Sequence, residues 1–115
     1  MTYIVGINVA SLGEFEEVVL LAVLRLEDDA YAIPIREEIL ERAHRYVARG
    51  ALYTALERLE EKGLLTSRMS EPRPERGGRS RRYFKATNRG LAAVRASRRA
   101  RLGLWDGLET LLEKP

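Results

Sequence analysis

Apolar and polar residues along the chain change period once, and that change divides it. Leu12 to Leu26 is predicted as a helix: Ser11 and Glu14 stand at capping-box spacing, and Glu14, Glu16 and Glu17 suit the positive end of a helix dipole. Nine of the twelve residues from Phe15 to Leu26 are apolar. A helix apolar nearly all round is expected to be covered on two sides, one by its own core and one by a partner subunit. A second helix is predicted from Tyr31–Ile33 to Ala43, with Ile35, Ile39 and Ala43 on one stripe and Pro34 in its first turn. A third is predicted from Gly50 to Lys62, with Leu52, Ala55, Leu56 and Leu59 as its buried stripe and Gly63 just past its end.

After Gly63 the period falls from about four to two. Leu65, Ser67 and Met69 alternate with Thr66, Arg68 and Ser70, which reads as a strand. Pro72, Pro74, Gly77 and Gly78 mark a loop over 71–78. Ser80, Arg82, Phe84 and Ala86 then alternate with Arg79, Arg81, Tyr83 and Lys85 as a return strand. Thr87 is a good N-cap for a last helix from Asn88 to Glu113. Three helices, a long two-stranded hairpin and a final helix give a mainly α fold with a small antiparallel β-hairpin: a winged helix-turn-helix plus a C-terminal helix. Residues 1–10 then form an N-terminal arm, 11–87 the winged domain and 88–115 the C-terminal helix, expected to dimerise.

Charge adds the chemistry. The 115 residues carry a net charge of +3, but the sign is unevenly spread. Residues 1–67 carry a net −5, residues 68–101 a net +10 and residues 102–115 a net −2, and eleven of the twelve cations in the middle block are arginine. Arginine's rigid fork of donors matches phosphate, so the block points to an anionic partner, either nucleic acid or a membrane surface. Base-edge contacts need exposed side chains near the start of the third helix, where Arg49, Tyr53, Thr54 and Arg58 lie off the apolar stripe. Gly50 would let a phosphate approach the backbone at a helix N-terminus. The hairpin supplies arginines for the flanking backbone. Arg95, Arg98, Arg99 and Arg101 read as a solvated face.

Other chemistries lack their residues. There is no cysteine and a single histidine, His44, so a thiol nucleophile, a histidine pair and a cofactor or metal site of those types are not expected. No paired carboxylates are supported as acid and base, and Gly77-Gly78 does not precede a helix as a phosphate loop would. The expectation is not an enzyme. The longest charge-free stretch, Met1–Gly13, is too short to span a bilayer. No membrane partner is expected, and the cytoplasm is the expected compartment.

Gly50-Ala51-Leu52-Tyr53, Leu56, Arg58-Leu59-Glu60, Gly63-Leu64-Leu65, Gly78-Arg79, Arg82-Tyr83-Phe84 and Thr87-Asn88-Arg89-Gly90 together resemble the PadR family of bacterial transcriptional regulators. Leu12-Gly13-Glu14-Phe15-Glu16 and Asp29-Ala30-Tyr31 extend the likeness over about residues 11–92. The resemblance implies a homodimeric, sequence-specific, repressor-type regulator of double-stranded DNA, with a pseudo-palindromic operator. It implies that Tyr53 meets the DNA backbone and that Arg79, Arg81 and Arg82 form the basic wing. It also implies that the C-terminal helix dimerises, as in the family's small members with one such helix. Two residues depart from the pattern: Ala48 stands where the family usually has a capping serine, and Pro34 interrupts the usual second helix.

Leu91, Val94, Trp105, Leu108 and Leu112 follow a 3-4 spacing that Arg98 and Arg101 interrupt. The segment Leu102–Leu112 is therefore expected to pack, against the partner's first helix. Phe15, Val19, Leu102, Trp105, Leu108 and Leu112 are the candidate dimer contacts. For Trp105 two readings stand: an aromatic anchor in the dimer core, or, as in some small members of the family, a wall of a cavity for a small apolar or planar effector. The alternative function for the whole chain is a winged-helix module that binds an acidic protein through its arginines.

Overall fold

The computed structural model describes residues 12–71 and 80–113. In chain order the elements are α1 (Glu14–Leu26), a 3-10 turn (Glu27–Asp29), α2 (Ala32–Ala43), α3 (Arg49–Glu61), β1 (Leu65–Met69), β2 (Arg82–Ala86), α4 (Asn88–Trp105) and α5 (Glu109–Glu113). β1 and β2 pair antiparallel, from Leu65 opposite Ala86 to Met69 opposite Arg82. The far edge of β2 is also engaged, since the Phe84 N–H donates to the Ala30 carbonyl at 2.8 Å. This is a winged helix-turn-helix.

α1 is the centre of the fold. It touches α2, α3, β2 and α4, and Val19, Leu20, Ala22 and Val23 are buried with Ile35, Leu52, Leu56, Leu59, Leu65 and Phe84. That corrects one expectation. The helix is apolar nearly all round chiefly because its own chain surrounds it. Val19 has no exposed surface, and the exposed large apolar residue on α1 is Leu21.

The start of α1 also differs from expectation. Its N-cap is Gly13 rather than Ser11, and Ser11 lies outside the described residues. The Gly13 N–H donates to Glu16 Oε1 at 2.9 Å. This is one half of a capping box, shifted by two residues, and it needs no side chain at the cap itself. α2 accepts Pro34 because it is the third residue of the helix, where the missing N–H would have no intrahelical partner. α3 begins without a side-chain cap at Ala48.

The join between α3, the hairpin and α4 is tight. Gly63 ends α3 with φ +77, a left-handed conformation that suits glycine. Thr87 caps α4 by accepting from the Gly90 N–H at 3.0 Å, and its hydroxyl donates to the Gly63 carbonyl at 2.7 Å. A Cβ on Gly90 would sit 2.3 Å from the Leu64 carbonyl oxygen, so glycine there permits the contact between α4 and the chain entering β1. The expected single helix from Asn88 to Glu113 is instead two. It breaks at Asp106–Gly107, where Gly107 turns to φ +87. The segment Leu102–Leu112 does not pack within the chain: every residue from Arg101 to Glu113 is exposed.

Candidate nucleic-acid interface

Leu52, Ala55, Leu56 and Leu59 turn one face of α3 into the core. The helical repeat therefore sends Arg49, Gly50, Tyr53, Thr54, Glu57 and Arg58 outward, and all six are exposed. The sequence-predicted residues of this helix are thus brought together on one surface. Charge on that surface runs along the axis. Arg49, Gly50, Tyr53 and Thr54 occupy the N-terminal half, whereas Glu57, Arg58 and Glu61 lie further along. An anion is favoured at the N-terminal end, which the helix dipole also makes positive. Among the described residues, no atom lies within 4 Å of where a Cβ on Gly50 would be. Nothing among the described residues requires glycine there, although it lowers helix propensity.

The hairpin has two faces with different chemistry. On the inner face, Arg82 lies over the Phe84 ring, 5.4 Å from its centroid. Its Nη2 donates to Glu60 Oε1 at 2.8 Å and its Nε to Ser67 Oγ at 3.1 Å. The Ser67 hydroxyl donates in turn to Glu60 Oε2 at 2.7 Å. Arg82, expected as a wing contact to DNA, is thus matched by a carboxylate on α3 and binds the wing to the helix.

On the outer face, Arg81, Tyr83 and Lys85 alternate with the inner set, and Arg68 sits opposite Tyr83. The Arg68 guanidinium lies 4.8 Å from the Tyr83 ring centroid and the Arg81 guanidinium 4.3 Å from that of Tyr31. The two tyrosine rings are 5.3 Å apart. Arg79, the third expected wing arginine, lies outside the described residues.

The remaining predicted residues lie on α1 and along α4 to α5, and Phe15 shares a depression with Thr54 and Arg58 of α3. Phe15 is half-buried beneath the Arg45 guanidinium, 4.9 Å from its ring centroid. Leu102, Trp105, Leu108 and Leu112 are all at least 40% exposed. Arg101, Leu104, Trp105, Leu108 and Leu112 line a shallow depression of about 180 Å³.

Sequence reasoning missed the long-range pairs. Arg101 is exposed, as expected, but it also reaches a buried carboxylate. Its Nη2 lies 2.7 Å from Glu17 Oε1, an ion-pair contact without hydrogen-bond directionality, since that buried oxygen accepts no hydrogen bond. Glu16 pairs with Lys62 Nζ at 2.6 Å. Burial pushes the Glu16 carboxyl up, but the hydrogen bonds from Lys62 and from the Gly13 N–H, with the charges of Lys62 and Arg58, outweigh it and hold the group below its ordinary value. Arg25 and Arg42 both donate to Glu38 Oε2, at 2.7 and 2.9 Å. Two acids on a nearly apolar helix were the available signal for the first two pairs, because a buried charge needs a partner.

The model of the PadR-like family of transcriptional regulators matches residues 20–96. The chain belongs to this family. Members of it are transcription regulators rather than enzymes. A PadR family transcriptional regulator from Eggerthella lenta is 27% identical with a TM-score of 0.65, and the match covers 89% of this chain and 88% of that one. A PadR family regulator from Clostridium difficile is 23% identical with a TM-score of 0.68, covering 85% of this chain and 98% of that one. A PadR-like regulator from Bacillus cereus shares the fold at 18% identity and a TM-score of 0.69, covering 88% and 93%. No curated protein matches the chain by sequence. As in the rest of the family, the PadR-like chain carries a winged-helix DNA-binding fold. Among its described residues no helix is long and apolar enough to cross a membrane.

Proposed function

We propose that this PadR-like protein is a dimeric, sequence-specific DNA-binding repressor that acts in the cytoplasm. Arg49, Gly50, Tyr53, Thr54 and Arg58 meet double-stranded DNA, with α3 in the major groove. Arg79 and Arg81 grip the flanking backbone, and Arg82 holds the wing against α3. The observation that carries this reading is Gly50. It is exposed, with open space where a side chain would be, at the positive end of a helix whose neighbouring exposed residues are donors. That is the arrangement in which a phosphate can approach a helix backbone closely.

Dimerisation is supported by the apolar surface on α4 and α5. Leu102, Leu104, Trp105, Leu108, Leu111 and Leu112 are all exposed, and a contiguous apolar patch of this kind marks an association surface. Two copies related by a two-fold axis would present two recognition helices to a pseudo-palindromic operator. The depression beside Trp105 is smaller than the roughly 300–1,000 Å³ usual for a ligand site. A second copy would wall it in, so a small apolar or planar effector is proposed to bind between subunits and release the DNA.

The test is fluorescence anisotropy of a labelled duplex from upstream of the chain's own gene, beside a scrambled duplex, across a salt series. Tight binding to the native duplex with a steep salt dependence is expected. Absence of binding to any duplex at low salt overturns the DNA reading and favours an acidic protein partner.

A further inference from the structure

Two neighbouring acids on α1 reach two different helices. Glu16 pairs with Lys62, the C-cap of α3, at 2.6 Å. Glu17 pairs with Arg101 of α4 at 2.7 Å. We infer that the Glu17–Arg101 pair fixes the direction in which α4 leaves the winged domain, and so sets the separation of the two operator half-sites that a dimer accepts. The inference rests on the dimeric DNA-binding reading above and deepens it. Both residues are positioning residues for a spacing preference, and neither touches DNA.

The near half of α4 is held by packing. Gly90, Ala93 and Val94 are buried, and Gly90 lies against the Leu64 carbonyl. One short patch of contact fixes where a helix sits but leaves its direction soft. From Arg98 to Trp105 every residue is exposed. Arg101 comes seven residues after Val94, about 10 Å further along the axis and nearly two whole turns on, so it faces the same way. Its guanidinium supplies a second point of attachment. Among the described residues, no other hydrogen bond or ion pair ties this stretch to the winged domain.

Burial makes the pair a constraint rather than a passing surface contact. The Glu17 side chain is 8% exposed, against 52% for Arg101, and its Oε1 accepts no hydrogen bond among the described residues. The guanidinium is therefore the charge that offsets a buried carboxylate. Swinging α4 away would leave that carboxylate unmatched, a penalty that exposed pairs do not carry. Through Glu16, the same turn of α1 holds the end of α3. The direction of α4 and the position of the recognition helix are thus referred to one turn of one helix.

The leverage is sufficient. Half-site centres lie about 34–36 Å apart, so each recognition helix would stand roughly 17 Å from the two-fold axis. A pivot of about 10° at that radius moves it by about 3 Å, close to one base-pair step. A loosened α4 would therefore accept more than one spacing.

The experiment first defines the half-sites by selection from a random duplex library with wild-type protein. Affinity is then measured on duplexes whose central spacer is shortened or lengthened by a base pair. The variants are Arg101→Ala, Glu17→Gln, Arg101→Lys and, as an exposed control on the same helix, Arg98→Ala. Circular dichroism and sedimentation check folding and dimerisation. A register error forfeits base contacts worth roughly 5- to 150-fold each, so wild type is expected to lose at least about tenfold at either neighbouring spacing. Arg101→Ala and Glu17→Gln are expected to lose no more than about threefold there, with the half-site sequence preference unchanged. Arg101→Lys is expected to keep most of the wild-type profile, because the contact is charge without directional bonding. Arg98→Ala is expected to keep all of it.

A wild-type spacing profile in both Arg101→Ala and Glu17→Gln overturns the inference. So does an equal flattening in Arg98→Ala, or a wild type indifferent to spacing. Glu17→Gln removes the buried charge together with the pair, so it decides alone if Arg101→Ala, which strands the carboxylate, fails to fold or dimerise. If wild type selects no duplex, the DNA-binding reading itself fails and takes this inference with it, an outcome distinct from the others.

Discussion

The carboxylate of Glu60 accepts the Arg82 guanidinium at 2.8 Å and so joins the recognition helix to the return strand of the wing. The same carboxylate accepts from Ser67 on the other strand. α3 and the hairpin are therefore one rigid unit at this point. The pair is partly exposed, so its coupling is modest. A double-mutant cycle of Glu60→Gln and Arg82→Ala read by urea denaturation should give about 0.5–1 kcal/mol. Because its charge is already matched, Arg82→Ala should lower the salt slope of duplex binding by less than about one. A loss of a full unit would place Arg82 on DNA directly.

Gly50 separates stability from function. Alanine there meets no neighbour and favours helix, so Gly50→Ala should raise stability by up to about 1 kcal/mol. The same methyl should hold a phosphate away from the helix start and weaken duplex binding by about tenfold. Thermal melts and anisotropy on one preparation check both. A variant that is more stable and binds equally well would remove the close-approach argument.

Gly90 should behave in the opposite way. Its added Cβ would meet a backbone carbonyl at 2.3 Å, which cannot swing aside as a side chain can. Gly90→Ala should lose about 1–3 kcal/mol or more through overpacking between α4 and Leu64, visible as a lower urea midpoint.

Acid sensitivity should trace to Glu16. Its carboxyl titrates below the ordinary value in the folded chain, so the unfolded state takes up its proton first as the pH falls. Its stabilising contribution is full at neutral pH and declines from about pH 4 downward, through the folded value. Glu16→Gln should therefore be clearly less stable than wild type at pH 7, and the gap should narrow toward pH 3. A gap independent of pH would mean that packing, not charge, is what the substitution removes.

Trp105 offers a direct report on association. It is the chain's only tryptophan and 51% exposed in a single copy. Its emission should shift to the blue as protein concentration rises through the dimerisation range. Leu108→Arg should abolish the shift and sediment as a monomer, with its secondary structure intact.

Much of this architecture was legible because it is local. Periods of four and two residues marked α1 to α4 and both strands. Thr87 could be named as a cap because its acceptor role acts three residues away. Pattern also placed Arg49, Tyr53, Thr54 and Arg58 on one exposed face, since a helix facing its leucines inward has no choice about the rest. The cap of α1 was misplaced because its bond runs from a backbone N–H, which any residue supplies. The break at Gly107 was missed because glycine lowers helix propensity without specifying where the chain turns.

By itself, then, the sequence determined the order and type of the elements, the concentration of arginine in and after the wing, and the family. These follow from backbone periodicity, composition and short spacings. Tertiary structure alone decided which apolar faces are already covered and which charges are already matched. α1 proved to be the central helix, Arg82 a clamp on Glu60, Arg101 a partner of Glu17, and Arg68 and Arg81 a pair on tyrosine rings. The physical reason is distance along the chain. Partners separated by tens of residues meet only when packing brings their elements together, and no local pattern of residues encodes that meeting.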